Sequence, residues 1–348
     1  MRERALLICP GRGTYGRDQL GYLRRHHGKR AAALDVIDAH RIAHGRIPVR
    51  TLDARPQYSL DAHAASENAS ALIHACAMAD VAAIDAERFD IVAVTGNSLG
   101  WYLALAAGGA LSPEAAITLV DTMGALMARH GVGGQLLYPV VGLDWRRDRD
   151  RERAVSNAMM EAERDSGGRL FVSIRLGGYW VIAGEDEALD SLSARLQPIE
   201  DRFPMRLARH AAFHTPLLDP VAALAQEALH PDLFRAPRRP LVDGRGVIWR
   251  TAVPDLEALY HYTLADQITR TYDFTRAVDV AVKEFAPERI IITGPGASLG
   301  APVAQILLAL GWRNLTSREA FAKAQQDDPL ILSMGLEDRR PLVTGPAA

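Results

Sequence analysis

Apolar residues fall into short unbroken runs that stop at glycine-rich turns, and into longer stretches where they recur at helical spacing. Residues 5–9, 91–95 and 289–293 are such runs, predicting strands covered on both faces. Each is followed by glycines: Pro10-Gly11-Arg12-Gly13-Thr14-Tyr15-Gly16, Gly96-Asn97-Ser98-Leu99-Gly100, and Gly294-Pro295-Gly296. A small-residue helical segment follows the second through Gly108, and another helix follows the third. Strand, glycine turn and helix in repetition predict an α/β layout with a parallel sheet, in which ligands bind at the carboxyl ends of strands.

Between these units, residues 68–84 predict a well-packed alanine-rich helix with His74 as a core or boundary residue. Ser112-Pro113-Glu114 starts another, Ser112 as N-cap and Pro113 in the first turn. From residue 132 the character changes. Strands are expected over 136–143, 170–174, 179–183 and 205–208, with helices after the mixed-charge run 144–153 and over 187–196. This β-α-β-β-α-β order predicts a ferredoxin-like small domain at 132–205, inserted into an α/β-hydrolase-like large domain formed by 1–131 and 206–320. Residues 321–348 turn polar, with Pro and Gly, and are expected to form a poorly ordered C-terminal tail.

At 348 residues, 48% hydrophobic and 24% charged, the chain is long enough for a sizeable core. A net charge of −2 argues against nucleic-acid binding, and no apolar run reaches the length of a membrane span. Two cysteines, Cys9 and Cys76, both in apolar surroundings, argue against a disulfide framework; with no signal peptide at the N-terminus, a cytoplasmic location is expected. Basic residues cluster at 24–30 and 235–239. Each cluster is either a solvated face or a landing site for an acidic partner.

The candidate chemistry centres on Ser98. In a G-x-S-x-G turn between strand and helix, a serine hydroxyl is exposed and the next backbone N–H is free to bind an oxyanion; a plain glycine-flanked N-cap is the alternative. His214, in Ala212-Phe213-His214-Thr215-Pro216, sits on a loop before a helix, and the order nucleophile-then-histidine suits α/β-hydrolase-like enzymes.

Four segments in order resemble the malonyl-CoA:acyl-carrier-protein transacylase family, which includes the acyltransferase domains of polyketide and fatty-acid synthases. Gly96–Tyr102 is similar to its GHSLGEY, residues 10–14 to PGQGS, residues 212–217 to AFHSPLM, and Gly294-Pro295-Gly296 to a late GPG. Val181-Ile182-Ala183-Gly184 matches its VIAG. The resemblance implies that a CoA thioester acylates Ser98 and that the phosphopantetheine thiol of an acyl carrier protein then takes the acyl group. It implies His214 as base, oriented by a backbone carbonyl near Gln267, and the N–H groups of Leu99 and Arg12 as oxyanion hole. No cofactor beyond the CoA thioester substrate is implied.

The chain departs from the pattern where specificity is set. Met123 stands where malonyl-specific members carry an arginine for the free carboxylate, so a non-malonyl acyl group is expected; an unpaired buried carboxylate is costly. Arg12 replaces a glutamine, Asn97 a histidine and Trp101 a glutamate, and Arg175 lies in the segment matching NxNSPGQ. Asn97, Trp101, Met123, Phe213, Arg175 and Gln267 are the expected substrate-binding residues, Trp101 making one wall apolar. Arg12 or Arg175 as a relocated cation would restore malonyl transfer. A thioester hydrolase on acyl carrier proteins needs the same dyad, and a weakly catalytic docking protein is a further alternative.

Overall fold

The structure, a computed structural model, describes residues 2–28 and 32–345. Eleven strands are described: β1 (Glu3–Cys9), β2 (Phe89–Gly96), β3 (Gly134–Pro139), β4 (Leu170–Leu176), β5 (Tyr179–Gly184), β6 (Met205–Arg206), β7 (Leu241–Val242), β8 (Ile248–Trp249), β9 (Tyr272–Asp273), β10 (Arg289–Ile292) and β11 (Ile331–Ser333).

Six strands form one sheet in the order β11-β10-β1-β2-β7-β8, parallel except for the β7/β8 edge pair. The unbroken runs are its centre: Ala5 through Cys9 and Ile290 through Ile292 are almost wholly buried. Helices Gly100–Ala107 and Phe274–Phe285 pack on β1 and β2, and helix Ser66–Ala83 packs against helix Pro113–His130. Ser112 caps the latter by accepting from the Ala115 N–H at 3.1 Å. His74 is buried in the core, and burial pushes its pKa down to about 4.

The second sheet runs β6-β3-β5-β4-β9. Its first four strands, with helices Arg149–Ser166 and Asp186–Arg195, follow the expected β-α-β-β-α-β order around a separate apolar core that includes Leu136, Val155, Ile182 and Leu189. β3 ends at Pro139, short of the expected residue 143. β9 was not expected: it comes from the segment after Gln267 and pairs parallel to β4, Ile174 opposite Tyr272. Two residues carry no periodicity, so such a strand leaves no trace in sequence.

Residues 321–345 do not form a loose tail; the last three residues of the expected tail lie outside the described residues. Helix Arg318–Asp327 and edge strand β11 continue the fold, with Phe321, Ile331 and Leu332 buried. Arg340 reaches the buried Asp80 at 2.5 Å; Asp80 also holds His27 Nε2 and the Tyr22 hydroxyl, each at 2.7 Å. Pairing with Asp80 and Tyr22 holds the Arg340 guanidinium above its ordinary pKa despite burial. Polar composition misled because it sits on the outer faces of these elements.

Both basic clusters keep exposed arginines: Arg24 and Arg25 in the first, Arg235, Arg238 and Arg239 in the second. His27 is buried in the Asp80 network, and Lys29 and Arg30 lie outside the described residues. Arg235 donates to the Gly109 and Leu111 carbonyls and Arg239 to that of Ala107, satisfying the C-terminal end of helix Gly100–Ala107. Among the described residues no helix is long and apolar enough to cross a membrane.

Candidate active site

Ser98 sits between the carboxyl end of β2 and helix Gly100–Ala107 at φ +58°, a left-handed conformation rare for a residue with a side chain. The flanking glycines make this turn possible. A Cβ at Gly96 would lie 2.1 Å from the Gly100 carbonyl oxygen, and one at Gly100 2.3 Å from that of Cys9. The elbow is pressed against the end of β1, where the Asn97 N–H donates to the Cys9 carbonyl at 3.1 Å.

His214 arrives from a different part of the chain and also has φ +58°. Its loop is pinned by Thr215 Oγ1 donating to the Ala212 carbonyl at 2.7 Å and by Ser173 Oγ donating to that of Phe213 at 2.8 Å. His214 Nε2 lies 2.7 Å from Ser98 Oγ, and its Nδ1 lies 2.5 Å from the Gln267 carbonyl oxygen. A carbonyl only accepts, so Nδ1 carries the proton and Nε2 presents its lone pair to the serine hydroxyl. Burial pushes the imidazole pKa down to about 4, against a smaller raising effect of the Gln267 carbonyl, so the ring is neutral at pH 7. That is the state a general base requires.

Gln267 supports the site twice more. Its Nε2 donates to the Ser98 carbonyl at 3.1 Å, and its Oε1 accepts from Tyr102 at 2.9 Å. A one-turn π-helix at Tyr262–Asp266 precedes it, an irregularity often found at functional sites.

A cavity of about 50 Å³ opens beside Ser98, walled by Leu99, Tyr102, Met123, Met127, Phe213 and Ile268, with Arg12 and Gln267 also reaching it. The backbone N–H groups of Leu99 and Arg12 make no hydrogen bond to another described residue, as oxyanion donors must not. Among the described residues the Arg12 guanidinium meets only neutral acceptors, and burial pushes its pKa down to about 10.

Of the residues singled out by sequence, the structure brings Ser98, His214, Leu99, Arg12, Met123, Phe213 and Gln267 to one cavity. Three others lie elsewhere. Trp101 is fully buried behind the elbow, its Nε1 donating to Thr263 at 3.0 Å, so it is no wall of the site. Tyr102, about 100° further round the helix, takes that place. Asn97 is buried at the elbow against Gly11 and does not face the cavity. Arg175 lies on a separate cavity of about 430 Å³ beside Trp145 and Gln305, 3.5 Å from Asp273. Tyr102, Met127, Ile268 and Ser70 were not anticipated. Met127, four residues after Met123 on one helix, could have been found from helical spacing; Ser70 is a polar residue in an apolar helical run.

The parallel α/β body with its second, smaller sheet gives this chain the fold of malonyl-CoA:acyl-carrier-protein transacylases, to which it is also similar in sequence. The malonyl-CoA:acyl carrier protein transacylase of Xanthomonas oryzae superposes with a TM-score of 0.72 at 20% identity, covering 99% of this chain and 100% of that one. In sequence, the malonyl CoA-acyl carrier protein transacylase of Salmonella typhimurium is 25% identical over 236 residues, 66% of this chain and 71% of that protein. A phenolphthiocerol/phthiocerol polyketide synthase component of Mycobacterium tuberculosis is 28% identical over 209 residues, 60% of this chain, a match spanning 12% of that synthase. No family model matches the chain.

Proposed function

We propose that the protein is an acyltransferase that moves a short, non-carboxylated acyl group from coenzyme A to the phosphopantetheine thiol of an acyl carrier protein. The observation that carries this is the Ser98 Oγ–His214 Nε2 contact of 2.7 Å, with His214 Nδ1 fixed by the Gln267 carbonyl. His214 takes the hydroxyl proton as Ser98 Oγ attacks the thioester carbonyl. The resulting oxyanion sits against the N–H groups of Leu99 and Arg12. Collapse expels the CoA thiolate, which takes the proton from His214 and leaves an acyl-Ser98 ester. In the second half the carrier thiol gives its proton to His214 and attacks the ester. Collapse returns the acyl group as a new thioester and the proton to Ser98.

The size and walls of the cavity support the substrate class. The cavity beside Ser98 is small, about 50 Å³, which suits an acetyl or propionyl unit. Met123 and Met127 offer a carboxylate no hydrogen bond. One solved structure of this fold is described as a polyketide acyl-carrier protein in complex with its malonyl-transacylase, at a TM-score of 0.70 and 21% identity, which favours a carrier protein as acceptor. The test is acetyl-CoA with and without a holo acyl carrier protein, following acyl-carrier and free acid together. Acyl-carrier formation supports transfer; release of free acid at the same rate with or without carrier identifies a hydrolase instead.

A further inference from the structure

We propose that the Arg12 side chain is a positioning residue, holding the loop that presents the Arg12 backbone N–H and tying that loop to the segment that carries His214. The proposal rests on the Ser98–His214 acyl-enzyme reading.

The loop needs an anchor. Residues 10–16 contain three glycines, Gly13 at φ +83°, so the backbone around the Arg12 amide has little intrinsic stiffness. Its own internal restraint is Thr14 Oγ1 donating to the Gly11 carbonyl at 2.9 Å. The guanidinium supplies outside attachments. Nη1 donates to Ser66 Oγ at 2.6 Å, and Nη2 to the carbonyls of Ala64 at 3.1 Å and Arg209 at 2.9 Å. Its carbon also lies 5.3 Å from the centroid of the Phe213 ring, next to the base. One planar cation therefore links the oxyanion loop, the start of helix Ser66–Ala83 and the His214 segment.

A carboxylate receptor would look different. Either edge of a guanidinium that grips a carboxylate through two parallel N–H groups uses an Nη2 hydrogen. Both Nη2 hydrogens are committed here, and the buried Nε is left without a partner. No acidic side chain among the described residues pairs with Arg12. What the geometry provides is a three-way brace of neutral acceptors, which a lysine, with one small ammonium, cannot reproduce.

The experiment measures the rate of Ser98 acylation by quenched intact-mass analysis of the full chain, with acetyl-, propionyl- and malonyl-CoA, for wild type and for Arg12→Ala, Arg12→Gln and Arg12→Lys. Displacing an oxyanion donor by a fraction of its contact distance costs about 100-fold. Arg12→Ala is expected to lose about that much in the acylation rate constant, equally for every donor the wild type accepts, with KM changed less than about threefold. Arg12→Lys recovers little, and millimolar guanidinium chloride restores part of the Arg12→Ala rate. Should Arg12→Ala fold poorly, Arg12→Lys carries the same comparison, because one ammonium cannot span the three acceptors. A loss confined to malonyl-CoA and expressed in KM overturns the proposal in favour of a carboxylate receptor; an unchanged rate overturns it outright. A wild type that forms no adduct with any donor instead removes the acyl-enzyme reading beneath it.

Discussion

Lowering the pH perturbs the dyad without changing a residue. His214 is buried, and burial sets its pKa at about 4 against an ordinary 6.5. At pH 5 an ordinary imidazole is neutral in about 3% of molecules and one titrating at about 4 in about 90%, a difference of about 30-fold in available base. The assay is the rate of acyl-Ser98 formation at subsaturating acetyl-CoA, quenched and weighed between pH 4 and 8, which reports the free enzyme. The rate is expected to stay nearly level from pH 8 to 5 and to fall only as pH approaches 4. Stability takes a different course. His74, His210 and His214 all have folded pKa values depressed by burial, to about 4, 3 and 4. Below pH 6.5 the unfolded chain binds protons that the native one refuses, so stability declines as pH falls from 6.5 toward 4. Between pH 6.5 and 5 the melting temperature should therefore drop while the acylation rate holds. A rate profile with its midpoint near 6.5 would refute the buried neutral base.

Two further outcomes follow from named contacts. Met123→Arg puts a guanidinium where the thioether offers no donor; a charge-assisted hydrogen bond to a carboxylate is worth about 1.5–3 kcal/mol. Malonyl-CoA should then gain at least about tenfold relative to acetyl-CoA in a competition assay. Arg340→Met leaves Asp80 buried without its main counter-charge, and losing one partner of a buried pair costs about 3–5 kcal/mol. Denaturant unfolding should show that loss, and an unchanged midpoint would mean the C-terminal segment is not part of the cooperative unit.

Much of the large sheet was legible because its strands are buried on both faces and its turns need glycine. Residues 5–9 and 91–95 announce themselves by unbroken apolarity, and Gly96 and Gly100 are forced by backbone atoms lying within 2.3 Å of any Cβ. What sequence could not give is direction. Trp101 and Tyr102 are adjacent, and only the elbow's exit angle decides which one meets the cavity and which the core. Charge is equally silent about its partners: Arg235 and Arg239 donate to backbone carbonyls of Ala107, Gly109 and Leu111, and Arg340 pairs with a buried aspartate some 260 residues earlier. The fifth strand of the small sheet, Tyr272–Asp273, is defined by its pairing with the β4 edge, about 100 residues earlier in the chain. Local pattern carries none of these long-range choices.

The most direct test is to incubate the full chain with acetyl-CoA, quench in acid and weigh it, then locate the adduct by peptide mapping. A single added acetyl group on Ser98, missing in Ser98→Ala and strongly slowed in His214→Ala, is the predicted result. No adduct from acetyl-, propionyl- or malonyl-CoA, or an adduct that persists in Ser98→Ala, contradicts it.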